Sequence, residues 1–174
     1  MTGKEFMQHL ARSGDDVVAV LLALLEKTES GYCVIGGLGV NAYADPVVSL
    51  DLDLVVVTES LGDVRREAEA AGMKVEEFEH SLNLSRAGSD LRIQLQKDAR
   101  YQAFLPRASM REVLGYVMMV ASLEDVLQGK IWAYSDASRR KSKRQKDLAD
   151  IMRLVETHPG LRENLPAVLT AVLD

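Results

Sequence analysis

One cysteine, Cys33, stands in 174 residues. No intrachain disulfide framework can form, and a reducing cytoplasm is the expected compartment. The N-terminal stretch MTGKEFMQHLARSGDD holds no long apolar run and no cleavage signature, so no secretory signal is expected. The longest apolar run, residues 17–25, is too short to span a bilayer, and no membrane partner is expected. His9, His80 and His158 are dispersed, without metal-ligand spacing. There is no excess of positive charge. The net charge of −5 gives no global attraction to nucleic acid, so such a contact needs a local basic patch. Internal repeats and low-complexity segments are also missing. What remains is an ordinary globular composition, 47% hydrophobic and 27% charged, with enough chain for one domain or a core plus a helical appendage.

Helical periodicity is expected over residues 4–13 and 15–29, the second carrying Val17, Val18, Leu21, Leu22, Leu24 and Leu25 on a broad apolar face. A buried strand is expected over 32–35, a short helix over 38–44 stopped by Pro46, and a strand over 50–57. A charged amphipathic helix at 61–71 is closed by Gly72. Short strands follow at 74–78, 82–86 and 91–96, with a further strand or extended segment at 116–120. The pattern then turns helical, over 123–134 with Ser122 as cap, 138–157 and 161–173. Strands first and helices last give an α+β class, a mixed sheet with flanking helices. The expected division is a core over 1–120 and a C-terminal helical segment over 121–174 packed on it.

Chemistry concentrates in YCVIGGLGVNAYADPVVSLDLDLVVV, residues 32–57. Asp51 and Asp53 are two apart on a strand and share a face. Adjacent carboxylates repel unless a cation lies between them, and a divalent metal is the simplest one. Gly36-Gly37, between a strand and a helix, suits close approach by a phosphate. Gly37, Gly39 and Ala42 also fit a dinucleotide fingerprint. That reading needs a parallel crossover, with the acid at the end of the second strand. Here the intervening chain is short, which suits antiparallel strands, and the acids open the second strand. Phosphatases and glycosyltransferases that carry Asp-x-Asp place it after an apolar strand, whereas here the valines follow the acids.

These residues resemble the nucleotidyltransferase superfamily, with its polymerase β palm fold, and in particular small bacterial AbiEii-like toxins and minimal nucleotidyltransferases. The shared pattern is a strand, a glycine pair, a short helix and Asp-x-Asp. Val120-Ala121-Ser122-Leu123-Glu124-Asp125 followed by Lys130, and Lys146-Asp147-Leu148-Ala149-Asp150-Ile151, extend the likeness into the C-terminal helices. The resemblance implies a nucleotidyltransferase-like mixed sheet. It implies a Mg²⁺- or Mn²⁺-dependent enzyme moving NMP from an NTP to an RNA such as tRNA, or to a protein. It further implies the toxin half of a toxin–antitoxin pair, with a cognate antitoxin as partner. Asp51 and Asp53 would hold metal and, with Lys130, serve catalysis. Gly36, Gly37, Ser49, Lys146 and Asp147 would bind the nucleotide.

Two positions depart from the family pattern. Arg-x-Thr often precedes the first aspartate, and here Val47 and Ser49 stand in those places. A third carboxylate is expected on a later strand, where Leu91-Arg92-Ile93-Gln94-Leu95 offers Gln94, a weak metal ligand. This supports a second expectation, a protein of the same fold that binds a nucleotide or partner with weakened or lost catalysis. Finally, Arg139, Arg140, Lys141, Lys143, Arg144 and Lys146 crowd the start of one helix, against the preference of the helix dipole, and suit phosphate.

Overall fold

A computed structural model describes Glu5 and residues 16–174. The helix expected over 4–13 lies outside the described residues. Helix α1 (Val17–Lys27) begins where Asp16 accepts a hydrogen bond from the Ala19 amide at 3.0 Å. Strand β1 (Tyr32–Ile35), helix α2 (Gly36–Asn41) and strand β2 (Asp51–Val56) follow. Helix α3 (Leu61–Ala70) leads to β3 (Lys74–Glu77), β4 (Ser81–Ser85) and β5 (Arg92–Gln96). A 3₁₀ segment (Ala99–Arg107) precedes β6 (Ser109–Val113) and β7 (Tyr116–Val120). Helices α4 (Leu123–Ser135), α5 (Lys141–Thr157) and α6 (Ala167–Leu173) complete the chain.

The strands form one mixed sheet in the order β3-β4-β5-β2-β1-β7-β6. β1 runs antiparallel to β2 and parallel to β7, and β2 runs parallel to β5. The α+β expectation holds. Among the described residues no helix is long and apolar enough to cross a membrane.

Strand alternation decides which face each side chain joins. Leu52, Leu54 and Val56 of β2, with Leu91, Ile93 and Leu95 on and beside β5, pack in one apolar cluster with Val17, Leu21, Val64 and Ala68 of α1 and α3. The alternate residues face the other side. There Cys33, Ile35 and Val55 pack with Val126, Ile131, Ile151 and Leu154 of α4 and α5. Asp51 and Asp53 alternate with Leu52 and Leu54, and Arg92 and Gln94 with Ile93. The polar members therefore form a stripe on the face that α4 and α5 cover.

Several elements differ from the sequence expectation, including the unforeseen 3₁₀ segment over Ala99–Arg107 and α5, which starts at Lys141 rather than 138. β6 was not foreseen: four of its five residues are exposed on an edge strand, so it shows no apolar alternation. The helix expected over 161–173 is two pieces, a 3₁₀ turn (Pro159–Asn164) and α6, because Pro166 cannot continue the first. α2 begins at Gly36, two residues earlier than expected, so the glycines form its first turn. The cap at Ser122 is as expected, its Oγ accepting from the Asp125 amide at 3.2 Å.

Leu54 is fully buried in the sheet centre. Leu54→Ala should lower unfolding free energy by about 2–5 kcal/mol in urea titration. A loss of a few tenths would contradict this account of the core.

Candidate active site

The site starts from a steric constraint. β1 and β2 pair with Ile35 opposite Asp53, so the chain leaves β1 beside the Asp53 side chain. Gly36 takes φ +67°, a conformation that costs a side chain energy. A Cβ there would lie 3.1 Å from Asp53 Cβ and 3.2 Å from its Cγ, and would overlap Oδ2. Glycine is thus required twice over. A Cβ at Gly37 would meet only Ser49 Oγ and Asp150 Oδ2, each at 3.9 Å, an ordinary contact. No side chain caps α2. With six residues it has little dipole, so an anion seated there would be held by the amides of its first turn.

Gly36, Gly37, Asp51 and Asp53 line a cleft of about 640 Å³, walled by α4 and α5. Asp51 accepts from Arg92 Nε at 2.7 Å. Ser49 is tied locally: its Oγ accepts from the Asp51 amide and donates to the Asp51 carbonyl, both at 3.1 Å. Asp53 is half-buried. Burial pushes its pKa up to about 6, with Asp51 adding to the rise and Lys130, Arg139 and Lys143 opposing it. On the neighbouring strand Arg92 stands in register with Asp51, and Gln94 with Asp53. Gln94 is exposed to the cleft.

Two carboxylates side by side fit one Mg²⁺, an ion commonly held by one or two protein carboxylates plus substrate phosphates. The missing Cβ at Gly36 lets the chain pass close to Asp53 Oδ2, and both carboxylates line the cleft. Among the described residues no group of three His, Cys, Asp or Glu is placed to hold a metal. The donor set therefore fits one ion arriving with phosphates, and does not fit a second ion needing a third acid.

The wall is a network of buried charge. Lys130 Nζ lies 3.1 Å from Asp147 Oδ1 and 2.8 Å from Asp150 Oδ2. Burial pulls the Lys130 pKa down, but Asp150 and Asp147 outweigh it, and the ammonium stays charged. Asp147, only 1% exposed, also accepts from Arg139 Nε at 2.7 Å. Asp150 pairs with Arg153 at 2.7 Å. Arg153 reaches Asn41 Oδ1 at 3.0 Å, and Asn41 holds both polar groups of the Val47 backbone, at 2.7 and 3.0 Å. The bonds thus run from α4 through α5 and α2 to the loop that delivers Asp51.

The structure brings all eight residues expected to serve the site to this one cleft. In this arrangement Lys130 and Asp147 engage each other, and Lys146 is open. The basic cluster divides in the same way. Arg139 and Arg144 are held, by Asp147 and by the Tyr134 carbonyl, whereas Lys143 and Lys146 are exposed on the cleft with no acid in ion-pair reach among the described residues. Arg92, Asn41, Asp150 and Arg153 were not foreseen as site residues. The Asp150/Arg153 spacing of three on a helix, and the place of Arg92 two before Gln94 on a strand, were the available signals.

This fold is shared with solved structures of antibiotic-modifying proteins. Among solved structures, the crystal structure of ANT(2'')-Ia in complex with adenylyl-2''-tobramycin matches at TM-score 0.67 and 17% identity, over 90% of this chain and 94% of that one. The solution structure of the antibiotic-resistance factor ANT(2'')-Ia matches at TM-score 0.62 and 14% identity, over 98% and 90%. The lincosamide antibiotic adenylyltransferase LnuA, lincomycin-bound, matches at TM-score 0.55 and 14% identity, over 79% and 95%. At these identities the likeness is one of fold. No protein-family model and no curated protein matches the chain.

The raised Asp53 pKa has a consequence for stability. The folded chain keeps this proton to about pH 6, while an unfolded aspartate releases it near 3.8. Between those values the folded state binds more protons, so rising pH favours unfolding. The penalty is absent below the unfolded value and complete above the folded one. Asp53→Asn should therefore gain on the order of 1–3 kcal/mol over wild type at pH 8, and nothing at pH 3.5, in chelator-containing urea titrations. Equal stabilities at pH 8 would contradict the burial of this charge.

Proposed function

We propose that the cleft binds a nucleoside triphosphate as its Mg²⁺ (or Mn²⁺) complex and transfers the nucleoside monophosphate to an acceptor hydroxyl. The observation that carries this reading is the side-chain-free contact of Gly36 with Asp53, with Asp51 alongside, in a fold shared with nucleotidyltransferases. When bound between Asp51 and Asp53, the metal would neutralise triphosphate charge and stabilise the charge that develops on it. The chain's own residues do the positioning. The first-turn amides of α2 and the open Lys143 and Lys146 hold phosphate oxygens. Lys130, Asp147 and Asp150 fix α4 against α5 and so hold the wall in place. The acceptor oxygen attacks the α-phosphorus as the bond to the bridging oxygen breaks, and pyrophosphate leaves. The hydroxyl proton passes to water at the cleft mouth, because Gln94 stands opposite Asp53 and an amide is a poor base.

For the acceptor, RNA such as tRNA is favoured over protein. Lys143 and Lys146 line the cleft, Arg140 and Lys141 continue the exposed run outside it, and the rest of the chain is acidic. A small polyhydroxy acceptor, like the tobramycin of the ANT(2'')-Ia complex, is the competing choice. The toxin role and an antitoxin partner follow from the family resemblance, as does a cytoplasmic location. A second reading, nucleotide or partner binding with weakened or lost transfer, is favoured by one observation, the register of Gln94 with Asp53.

Label from the four α-³²P NTPs, with Mg²⁺ or Mn²⁺, should move to total RNA. Asp51→Ala and Asp53→Ala should each reduce this by about 100-fold or more. Gln94→Asp, which restores a base opposite Asp53, should raise the rate at least about tenfold. NTP binding without transfer by wild type, with transfer appearing only in Gln94→Asp, would select the second reading. Expression in a bacterium should arrest growth, and Asp53→Ala should relieve the arrest.

A further inference from the structure

Asp51 already has a counter-ion. Arg92 leaves β5 in register with Asp51, and its Nε lies 2.7 Å from Oδ1. The pair is open to solvent, its side chains 69% and 41% exposed, so the bond is weak and readily exchanged. The next residue of β5 on this face, Gln94 opposite Asp53, is neutral. The cleft floor therefore pairs one carboxylate with a guanidinium and the other with an amide. A bare divalent cation approaching this floor meets a resident positive charge at Asp51. A cation carried by a polyphosphate meets something different. Its own oxygens complete the coordination, and it brings anionic oxygens that a guanidinium binds in bidentate fashion.

We propose that Arg92 is a resident counter-ion which Asp51 exchanges for a divalent cation only when that cation arrives on a polyphosphate, after which the guanidinium pairs with the phosphates. Arg92 thereby keeps bare metal off the site and makes the metal–polyphosphate complex the species that binds. This rests on the reading of the cleft as a metal–nucleotide site and adds the residue that sets the order of loading.

The test measures two affinities that must move in opposite directions. Bare Mn²⁺ is titrated by electron paramagnetic resonance of the free ion, and Mg²⁺–tripolyphosphate by calorimetry, which leaves base preference out of the measurement. Arg92→Gln should bind bare Mn²⁺ about three- to tenfold more tightly than wild type, and Mg²⁺–tripolyphosphate about three- to tenfold more weakly. Arg92→Lys, which keeps the charge, should stay within about twofold of wild type for Mn²⁺. Unchanged or weaker Mn²⁺ binding in Arg92→Gln would overturn the proposal, as would tighter binding of the tripolyphosphate complex. Asp51→Asn separates the layers. If it leaves Mn²⁺ affinity unaltered, the metal site itself is misplaced and the wider reading fails with the proposal. If it abolishes Mn²⁺ binding while Arg92→Gln changes nothing, only the role of Arg92 fails.

Discussion

The contact between Gly36 and Asp53 is the constraint from which the site follows. An antiparallel pair of strands brings the end of β1 beside the start of β2, and the chain can turn there only without a side chain. That turn starts α2 with no side-chain cap and lets the Asp53 carboxylate pack directly against the Gly36 backbone. Strand alternation then does the sorting. Leu52 and Leu54 go to the core under α1 and α3, and the two aspartates go to the opposite face. The same rule applied to β5 sends Arg92 and Gln94 to the aspartates. The chemistry of the floor is thus a by-product of two strands that bury their other face.

Charge is handled differently on the floor and in the wall. In the wall, the three cations Lys130, Arg139 and Arg153 pair with the two carboxylates Asp147 and Asp150 at 2.7–3.1 Å. Removing one partner would strand a poorly hydrated charge, so this network sets the position of α4 against α5. On the floor, Asp53 has no ion-pair partner among the described residues, and its pKa rises to about 6. Lys143 and Lys146 face the same space, with no acid in ion-pair reach among the described residues. A carboxylate and two ammonium groups without ion-pair partners among the described residues suit a ligand carrying both signs, such as the proposed metal–polyphosphate.

Much of this was legible in the sequence where a local pattern carries the signal. β1, β2, α3 and the Ser122 cap fell within a residue or two of expectation, because three valines, a closing glycine and a capping serine act locally. Four of the candidate site residues, Gly36, Gly37, Asp51 and Asp53, stood out for the same reason, through Asp-x-Asp and the glycine pair, whereas Ser49, Lys130, Lys146 and Asp147 came from the family resemblance. Contacts between distant segments were less so. The mutual engagement of Lys130 with Asp147 and Asp150 needs α4 packed on α5. The bond between Arg92 and Asp51 needs the β2–β5 register, which joins residues 41 apart in the chain. The reach of Arg153 to Asn41 spans 112 residues. β6 escaped because an exposed edge strand has no buried face to impose alternation.

The central claim is that Asp51 and Asp53 jointly hold a divalent ion under a triphosphate seated at Gly36-Gly37. The most direct measurement is a crystal structure grown with Mn²⁺ and α,β-methylene nucleoside triphosphates, with the ion located by anomalous scattering. The account predicts one Mn²⁺ peak bridging the two carboxylates, phosphate oxygens over the first turn of α2, and the Arg92 guanidinium turned from Asp51 to the phosphates. An ion bound elsewhere, or nucleotide seated away from the glycine pair with the Arg92–Asp51 bond intact, would contradict it.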